Sequence, residues 1–346
     1  MYAFINDYSE GCHPAILEAL SATNLVQTVG YGFDEYSEKA KSLIKKACNN
    51  KDLDIHFLVG GTQTNETIIR SILRPHQGVF GATTSHINTH EAGAIEFTGH
   101  KVITIPTSDG KITSEDITKH YEKYLNDPTK LHWVEPKMVY ISQPTEIGTL
   151  YSRQELTAIY EVCQKYKLYL FIDGARLGYG LTSPANDLTL VDIAKLCDVF
   201  YIGGTKCGAL LGEAVVIVNE KLKTSFFTLS KQGGAVLAKG RILGIQFATL
   251  FTDDLYFKIR TQANIFANNI ASACTSVGWK LLGSSPTNQN FIIMPNKALE
   301  YLSSLFALDV GEKYDDKHTI VRICTSWCTK EAEVKKLIEA INTFKK

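Results

Sequence analysis

The sequence predicts an α/β protein, with a large unit built on a mostly parallel sheet and a smaller C-terminal α+β unit. Short apolar runs alternate with amphipathic helical patterns between about residues 35 and 220, as in sheets covered by helices on both faces. After about residue 250 a long helical pattern leads into fewer, more widely spaced strands. A chain of 346 residues with 45% hydrophobic content is long enough for two domains, which we predict at residues 1–250 and 251–346.

The elements of the large unit follow in order from these patterns. Residues 35–48 carry apolar residues at helical spacing, which predicts an amphipathic helix. Residues 54–60 and 168–173 are short apolar runs of the kind that form buried strands. The full prediction is helices at 35–48, 65–73, 153–167 and 191–197, and strands at 54–60, 138–142, 168–173, 198–203 and 213–218.

The smaller unit is expected to begin with a long helix at about 254–276. Apolar runs at 288–295 and 318–327 follow it, with helices near 297–306 and after about residue 330. Runs and helices in this order are typical of an α+β unit.

Composition argues against several classes of partner. Lys+Arg and Asp+Glu number 36 each, and a net charge of zero disfavours a nucleic acid or an anionic membrane surface. No run approaches the ~20 apolar residues of a membrane span, and the first residues lack the basic and apolar regions of a signal peptide. The eight scattered cysteines, several inside apolar runs, indicate reduced thiols of a cytoplasmic protein.

Lys206 is the most informative single residue. It follows a strand-like run and two glycines in YIGGTKCGALLG at 201–212. Close-packed small residues would strip water from the amine, which lowers the pKa of a lysine and makes it a nucleophile toward carbonyls. An ordinary loop lysine has the same local pattern, so the interpretation depends on other segments.

A phosphate site is indicated by Gly60, Gly61 and Thr62, where a strand turns into a helix. Glycines let the backbone approach a phosphate, and the N–H groups of a helix N-terminus favour an anion. The alternative is an ordinary strand-to-helix turn. The lysine spacing of a nucleoside-triphosphate loop is missing here, which disfavours that ligand.

Asp173 ends the apolar strand LYLFID, and Arg176 follows three residues later. The carboxyl end of such a strand faces the crevice where open α/β sheets bind ligands. The guanidinium fork of Arg176 suits a carboxylate or a phosphate. A helix-capping aspartate and a structural salt bridge are the alternatives.

His86, His90 and Glu91 lie together in SHINTHEAGA. Two histidines four residues apart could bind a metal from one helical face, but no third ligand has a telling spacing, so no metal site is predicted. His86 suits stacking on an aromatic cofactor, with a hydrogen-bonded core histidine as the alternative. Arg322 lies in the apolar run IVRICTSW, where burial requires an anion, either a substrate carboxylate or an ion-pair partner at a domain interface.

Each pattern is weak alone, but their order along the chain is specific. The segments GGTQTN at 60–65, DGAR at 173–176 and GGTK at 203–206 occur with SHINTHEAGAIEFTGHKV at 85–102 and ISQPTEIGTLYS at 141–152. Together they resemble the aspartate-aminotransferase-like, fold type I enzymes that use pyridoxal 5'-phosphate. Within these, the chain resembles the threonine aldolase family over nearly its full length.

The resemblance implies a cofactor-binding role for five of these residues. Lys206 would bind the cofactor aldehyde covalently, and Asp173 would pair with the ring nitrogen. His86 would stack on the ring. Gly61 and Thr62 would hold the phosphate.

The resemblance also implies contacts to substrate and between subunits. Arg176, which also counts among the cofactor-binding residues, would grip the amino-acid carboxylate together with Arg322 and Ser9. Lys231 stands where the family has an arginine that reaches the phosphate from a neighbouring subunit. Tyr31 lies in a segment that approaches the site across the subunit boundary. The implied assembly is a homo-oligomer, either a dimer or the tetramer usual in the family.

The sequence departs from the family pattern at Glu146. Many of these aldolases have a Thr-His pair where this chain has Thr145-Glu146, and that histidine lies near the substrate hydroxyl. A subset with the Thr-Glu form includes aldolases that act on phenylserine. The base for the substrate hydroxyl is therefore open between Glu146, His90 and a water held by His86.

The implied activity is a lyase reaction, the cleavage of L-threonine, L-allo-threonine or related β-hydroxy amino acids to glycine and an aldehyde. The alternatives on the same scaffold are phenylserine cleavage, β-elimination, racemisation and transamination, which begin with the same cofactor chemistry. A non-catalytic protein with this fold would be expected to lose the lysine, aspartate and arginine set, and here all are present.

Overall fold

Residues 1–345 are described by a computed structural model, in which helices and strands alternate through most of the chain. The strands are β1 (Tyr2–Ala3), β2 (Asp54–Leu58), β3 (Gln77–Ala82), β4 (Val102–Ile105), β5 (Glu135–Ser142), β6 (Tyr169–Asp173), β7 (Val199–Gly203), β8 (Glu213–Ile217), β9 (Lys280–Leu281), β10 (Gln289–Pro295), β11 (Phe306–Ala307), β12 (Asp309–Lys313) and β13 (His318–Cys324). The helices are α1 (Pro14–Ala22), α2 (Glu35–Ala47), α3 (Gly61–Ile72), α4 (His86–Thr89), α5 (Ala94–Phe97), α6 (Ser114–Asn126), α7 (Arg153–Tyr166), α8 (Leu177–Leu181), α9 (Leu190–Ile193), α10 (Glu220–Lys223), α11 (Phe226–Gln232), α12 (Arg241–Leu250), α13 (Leu255–Ser276), α14 (Asn296–Leu305) and α15 (Glu331–Asn342).

The central sheet has seven strands in the order β2-β8-β7-β6-β5-β3-β4. All run in one direction except β8, which is antiparallel to both of its neighbours. The connection from β7 to β8 is a short loop without a helix, and a parallel pairing would need a longer crossover. The predicted mostly parallel sheet is confirmed, and the loop that reverses the chain carries Lys206.

Both faces of this sheet are buried under helices. Along β7, Val199 and Tyr201 pack into one apolar cluster, while Phe200 and Ile202 pack into the other. This follows the two-residue period of a strand and explains why the strands read as continuous apolar runs. Side chains at the strand ends are thereby fixed in position by packing.

A second sheet of four antiparallel strands, in the order β12-β13-β10-β9, lies in the C-terminal part of the chain. It packs with α13, α14 and α15 around an apolar cluster that also contains Phe4. Strand β1 pairs with β11, so the first residues join the core of the C-terminal part. The division at residue 250 stays a prediction.

The sequence placed five strands and four helices of the large unit within about four residues, but it missed β3, β4, α1, α6, α11 and α12 as well as the shortest elements. It also began α3 at about residue 65, whereas the helix starts at Gly61. Glycine and threonine have low helix propensity, so the first turn was read as loop. That turn faces the edge of the central sheet where the parallel strands end.

Among residues 1–345, no helix has both the length and the apolar character needed to cross a membrane. The longest, α13, has 22 residues. It carries buried polar side chains such as Arg260 and Asn264.

We predict that Gly174→Ala destabilises the protein. A Cβ at this position would collide with the carbonyl oxygen of Tyr201, where β6 and β7 end side by side. Overpacking of this kind costs about 1–3 kcal/mol, so chemical denaturation should show a lower free energy of unfolding. Gly11→Ala is the control, because a Cβ there meets nothing within 4 Å. Equal stability of the two variants would contradict the prediction.

Candidate active site

A cavity of about 910 Å³ opens at the edge of the central sheet where the parallel strands end. Strands β5, β6 and β7 end there at Ser142, Asp173 and Gly203, and the reversed strand β8 begins there at Glu213. The cavity brings together most of the residues selected from the sequence, namely Gly61, Thr62, His86, His90, Glu146, Asp173, Arg176, Lys206 and Arg322.

Asp173 lies at the floor of this cavity and accepts four hydrogen bonds. The Tyr140 and Tyr201 hydroxyls each donate to one of its oxygens at 2.5 Å. The Asn65 amide donates at 3.1 Å and the Ala175 backbone N–H at 2.9 Å. Burial, reinforced by the Asp173 charge, raises the pKa of both tyrosines well above the usual range, so both remain donors.

Lys206 projects into the cavity from the loop between β7 and β8. Burial, together with the positive charge of Arg176, lowers the pKa of its amine, although nearby carboxylates oppose the shift. Two buried tyrosines hold the backbone of this loop. The Tyr179 hydroxyl donates to the Lys206 carbonyl at 2.9 Å, and the Tyr256 hydroxyl donates to the Gly203 carbonyl at 3.1 Å. The desolvated lysine predicted from the sequence is thus seen in the structure, on a loop whose position is fixed.

The N-terminus of α3 faces the same space. A helix leaves its first N–H groups without intrahelical partners, and Gly61 and Thr62 occupy this first turn. A Cβ at Gly61 would lie 3.5 Å from the Tyr201 hydroxyl. This is an ordinary contact distance, so it is the unpaired N–H groups of the helix N-terminus that would favour an anion there.

His86 is oriented by a buried carboxylate. Its Nδ1 lies 2.7 Å from Glu91 Oε1, and the Glu91 side chain is fully buried. Asn65 donates to the same Glu91 oxygen at 2.7 Å and also contacts Asp173, so one amide links the two carboxylates. The His90 ring stacks on His86 at 5.6 Å between centroids and also lines the cavity.

Glu146 lines the cavity beside His86. Its Oε1 accepts hydrogen bonds from the Ser142 hydroxyl at 2.6 Å and from the backbone N–H of His86 at 2.9 Å. Burial raises the pKa of this carboxyl, and the charge of Asp173 adds to the effect despite these donors. A carboxyl group with a raised pKa, held in a cleft, suits proton transfer.

Arg176 is held by an ion pair that the sequence had left as an alternative. Its Nε and one Nη donate to the two oxygens of Asp7 at 2.7 and 2.9 Å. Burial alone would raise the pKa of Asp7, but the charges of Arg176 and Lys206 outweigh it and lower the pKa. One edge of the guanidinium is thus already used, and a substrate has access only to the other.

Arg322 also has a protein counter-ion. Its Nε lies 2.8 Å from Asp309 Oδ2, and its two other nitrogens donate to Gln289 Oε1 at 3.2 Å and to the Ile5 carbonyl at 3.1 Å. Asp309 lies opposite it on β12, in the same sheet. The ion pair is therefore within the C-terminal sheet and not between domains.

Three selected residues lie outside the lining of this cavity. Ser9 is exposed and donates to Asn6 Oδ1 at 3.0 Å, while its neighbour Tyr8 lines the cavity. Lys231 lies over the Tyr31 ring, 4.2 Å from its centroid. For these three the roles implied by the family resemblance stay predictions.

Several site residues were missed in the sequence. Asp7, Tyr140, Tyr201 and Glu213 carried no signal, because a buried tyrosine or a single carboxylate has the same local pattern in a structural role. Glu213 accepts from the Gly204 N–H at 2.9 Å, and burial raises its pKa. The position of Asp173 at a strand end was the available signal, since a buried carboxylate requires donors on the adjacent strands.

This set of groups fits pyridoxal phosphate. The cofactor aldehyde reacts with an amine, and the phosphate requires several N–H groups that point at it. The ring nitrogen requires a carboxylate, and the ring face requires a flat side chain to stack on it. Lys206, the start of α3, Asp173 and His86 supply these in one cavity. The chemistry of the residues thus agrees with the cofactor implied by the sequence.

Comparison with known proteins points the same way. Residues 5–297 match the family model described as beta-eliminating lyase. A low specificity L-threonine aldolase from Pseudomonas sp. (strain NCIMB 10558) is 30% identical over 96% of this chain and 95% of its own length. A Leishmania major threonine aldolase structure superposes with a TM-score of 0.97 at 44% identity, covering 100% of both chains.

A Thermus thermophilus aspartate aminotransferase has a TM-score of 0.71 at 15% identity, over 99% of this chain and 91% of its own. At this identity the likeness shows the fold alone, and it confirms the predicted aspartate-aminotransferase-like class. The chain is a lyase that belongs to the beta-eliminating lyase family and, within it, to the threonine aldolases.

Proposed function

We propose that this enzyme uses pyridoxal phosphate to cleave L-threonine, L-allo-threonine or related β-hydroxy amino acids to glycine and an aldehyde. One observation carries the proposal. A lysine of lowered pKa, a helix N-terminus, a buried aspartate and a histidine converge on one cavity, in a chain that matches threonine aldolases over its full length.

The geometry of the cavity supports an assignment of residues to the cofactor. Lys206 would hold its aldehyde, Asp173 its ring nitrogen and His86 a ring face, and Gly61 and Thr62 its phosphate. Pyridoxal phosphate supplies an electron-poor ring that accepts the electron pair of a breaking bond at the amino-acid α-carbon. The protein determines which bond breaks.

The bond that breaks depends on how the substrate is oriented and on which proton is removed. Arg322 and the remaining edge of Arg176 would hold the carboxylate, which fixes the α-carbon. We assign Glu146 as the base for the β-hydroxyl, because it lines the cavity and has a raised pKa. The Ser142 hydroxyl and the His86 backbone N–H both donate to Oε1. We therefore assign Oε2 as the oxygen that accepts the proton of the substrate hydroxyl.

We also propose that the enzyme is a homo-oligomer, with a tetramer as the expected form, and that it acts in the cytoplasm. Leu25, Val29 and Phe33 lie near Tyr31 in sequence and expose 92%, 66% and 55% of their surface, and several exposed apolar side chains in one segment favour a protein partner. A neighbouring subunit there is consistent with roles for Tyr31 and Lys231 across the boundary. Eight unpaired cysteines among residues 1–345 suit a reducing compartment.

Lys206→Ala should remove cofactor attachment and nearly all activity. The wild-type protein with pyridoxal phosphate should show a visible imine band that borohydride bleaches, and L-threonine should give acetaldehyde and glycine. The variant should show neither, while Lys195→Ala, at an exposed lysine, should behave as wild type. A keto acid in place of the aldehyde would reject the aldolase assignment in favour of elimination or transamination.

Glu146→Gln should lower kcat/KM for threonine by about 100- to 10,000-fold, the usual contribution of a general base. The base is the deprotonated form, so activity should be lost as the pH falls through the pKa of Glu146, which is raised above its ordinary value. This acid limb should be absent from the residual activity of Glu146→Gln.

His90→Asn is the matched comparison for the Glu146 experiment. His90 also lines the cavity and burial lowers its pKa, so this histidine is the rival base. If His90→Asn removed the acid limb and Glu146→Gln left it in place, the assignment would pass to His90.

Light scattering of the purified protein should give a mass that is a multiple of 38.4 kDa. Replacing Leu25 and Val29 by aspartate should reduce that mass, because charges would be buried at the contact. Cofactor-dependent activity should fall with it. A single-chain mass for fully active wild-type enzyme would contradict the shared site.

A further inference from the structure

Arg322 and Asp309 form an ion pair at the cavity wall. They face each other in register on β13 and β12, with 2.8 Å between Arg322 Nε and Asp309 Oδ2. Both residues line the cavity that holds Lys206. The Asp309 carboxylate thus already pairs with Arg322, the arginine that we assign to the substrate carboxylate.

This pair is held by charge more than by directed hydrogen bonding. Within residues 1–345, the buried Nε–H of Arg322 has no well-aligned acceptor, despite the short distance to Asp309. The aligned bonds of Arg322 go from its other two nitrogens to Gln289 and Ile5. These two bonds would keep the guanidinium in place if Asp309 moved away.

The ion pair between Arg176 and Asp7 differs in each of these respects. It has two aligned bonds at 2.7 and 2.9 Å, the Asp7 side chain is fully buried, and Asn288 adds a third donor at 3.0 Å. Asp309 keeps 40% of its side chain exposed. Water can therefore solvate the Asp309 carboxylate when it leaves Arg322, whereas Asp7 has no such route.

We propose that Asp309 is a displaceable counter-ion, which pairs with Arg322 in the absence of substrate and yields to the carboxylate of the incoming amino acid. This rests on the proposed function, in which Arg322 binds that carboxylate. Asp309 is thus a residue that sets substrate affinity without taking part in the chemistry. It also keeps the guanidinium paired, which limits the cost of a buried unpaired charge.

The consequence is an increase in the apparent substrate KM. Only the fraction of enzyme with Arg322 free of Asp309 is competent to bind, and the apparent dissociation constant is the intrinsic one divided by that fraction. Ion pairs of this partial exposure have modest strength. Removing the competing carboxylate should therefore strengthen binding by about two- to fivefold.

The test is Asp309→Asn in the cofactor-loaded enzyme, with Asp309→Ala beside it. For both variants the KM for L-threonine should fall two- to fivefold with kcat unchanged. Calorimetry with glycine, which carries the carboxylate but no β-substituent, should show the same gain in affinity. Asp316→Asn is the control, because it removes the same charge from the same hairpin at a side chain that is 94% exposed.

A KM and a glycine affinity that stay the same, or a KM that rises, would overturn the proposal, since Asp309 would then be absent from the binding equilibrium or would position Arg322. Melting temperatures of the variants show whether a rise in KM comes from unfolding. Failure of the proposed function is a separate result, in which the wild-type enzyme releases no aldehyde from any β-hydroxy amino acid. An active wild-type enzyme with an unresponsive Asp309→Asn would refute this inference alone.

Discussion

The burial of Asp173 is the constraint on which the rest of the site depends. A carboxylate at the end of a buried strand needs several donors, and here they come from β5, β7, α3 and the turn that follows β6. These elements are far apart in sequence and meet only because the strands are adjacent in the sheet. Satisfying one charge thus fixes two strands, the first turns of a helix and the turn toward Arg176 relative to each other. The N-terminus of α3 is thereby placed at a set position from the carboxylate.

The surroundings of Lys206 disfavour the charged form of its side chain, whereas those of Asp173 stabilise a charge. The protein fixes its backbone through the Tyr179 hydroxyl and leaves the amine in a desolvated place beside a second cation, both of which favour the neutral form. Asp7 keeps the neighbouring Arg176 charged and in position, because its two oxygens take one whole edge of the guanidinium. The cavity therefore contains an amine of lowered pKa next to a permanent cation, and the buried ion pair with Asp7 balances the charge of that cation.

Much of this could be predicted from the sequence, for physical reasons. Lys206, Asp173 and Gly61 lie at strand ends, and strand ends can be read from apolar runs and glycine turns, so their convergence at one sheet edge follows from a parallel topology.

The hydrogen-bond partners of these residues could not be predicted in the same way. Tyr140 and Tyr201 look like ordinary core residues of apolar strands, and Asp7 is 169 positions away from Arg176. Such pairings depend on the relative placement of elements, which local patterns do not determine. The first turn of α3 was misplaced because residues suited to binding an anion are poor helix formers.

The two arginine–carboxylate pairs show how the same chemistry serves two purposes in one cavity. The two pairs differ in how deeply their carboxylates are buried. Asp7 has no access to water and is held by three donors, so its pair with Arg176 is a fixed part of the structure. Asp309 lies on the edge strand of the smaller sheet with 40% of its side chain exposed, so its pair with Arg322 is weak enough to open at the energies that substrate binding provides. Arg322 keeps its position through Gln289 and the Ile5 carbonyl, and Ile5 directly precedes the Asn6-Asp7 segment that supports Arg176. The segment that follows β1 thus contacts both arginines, through the Ile5 carbonyl at Arg322 and the Asp7 carboxylate at Arg176.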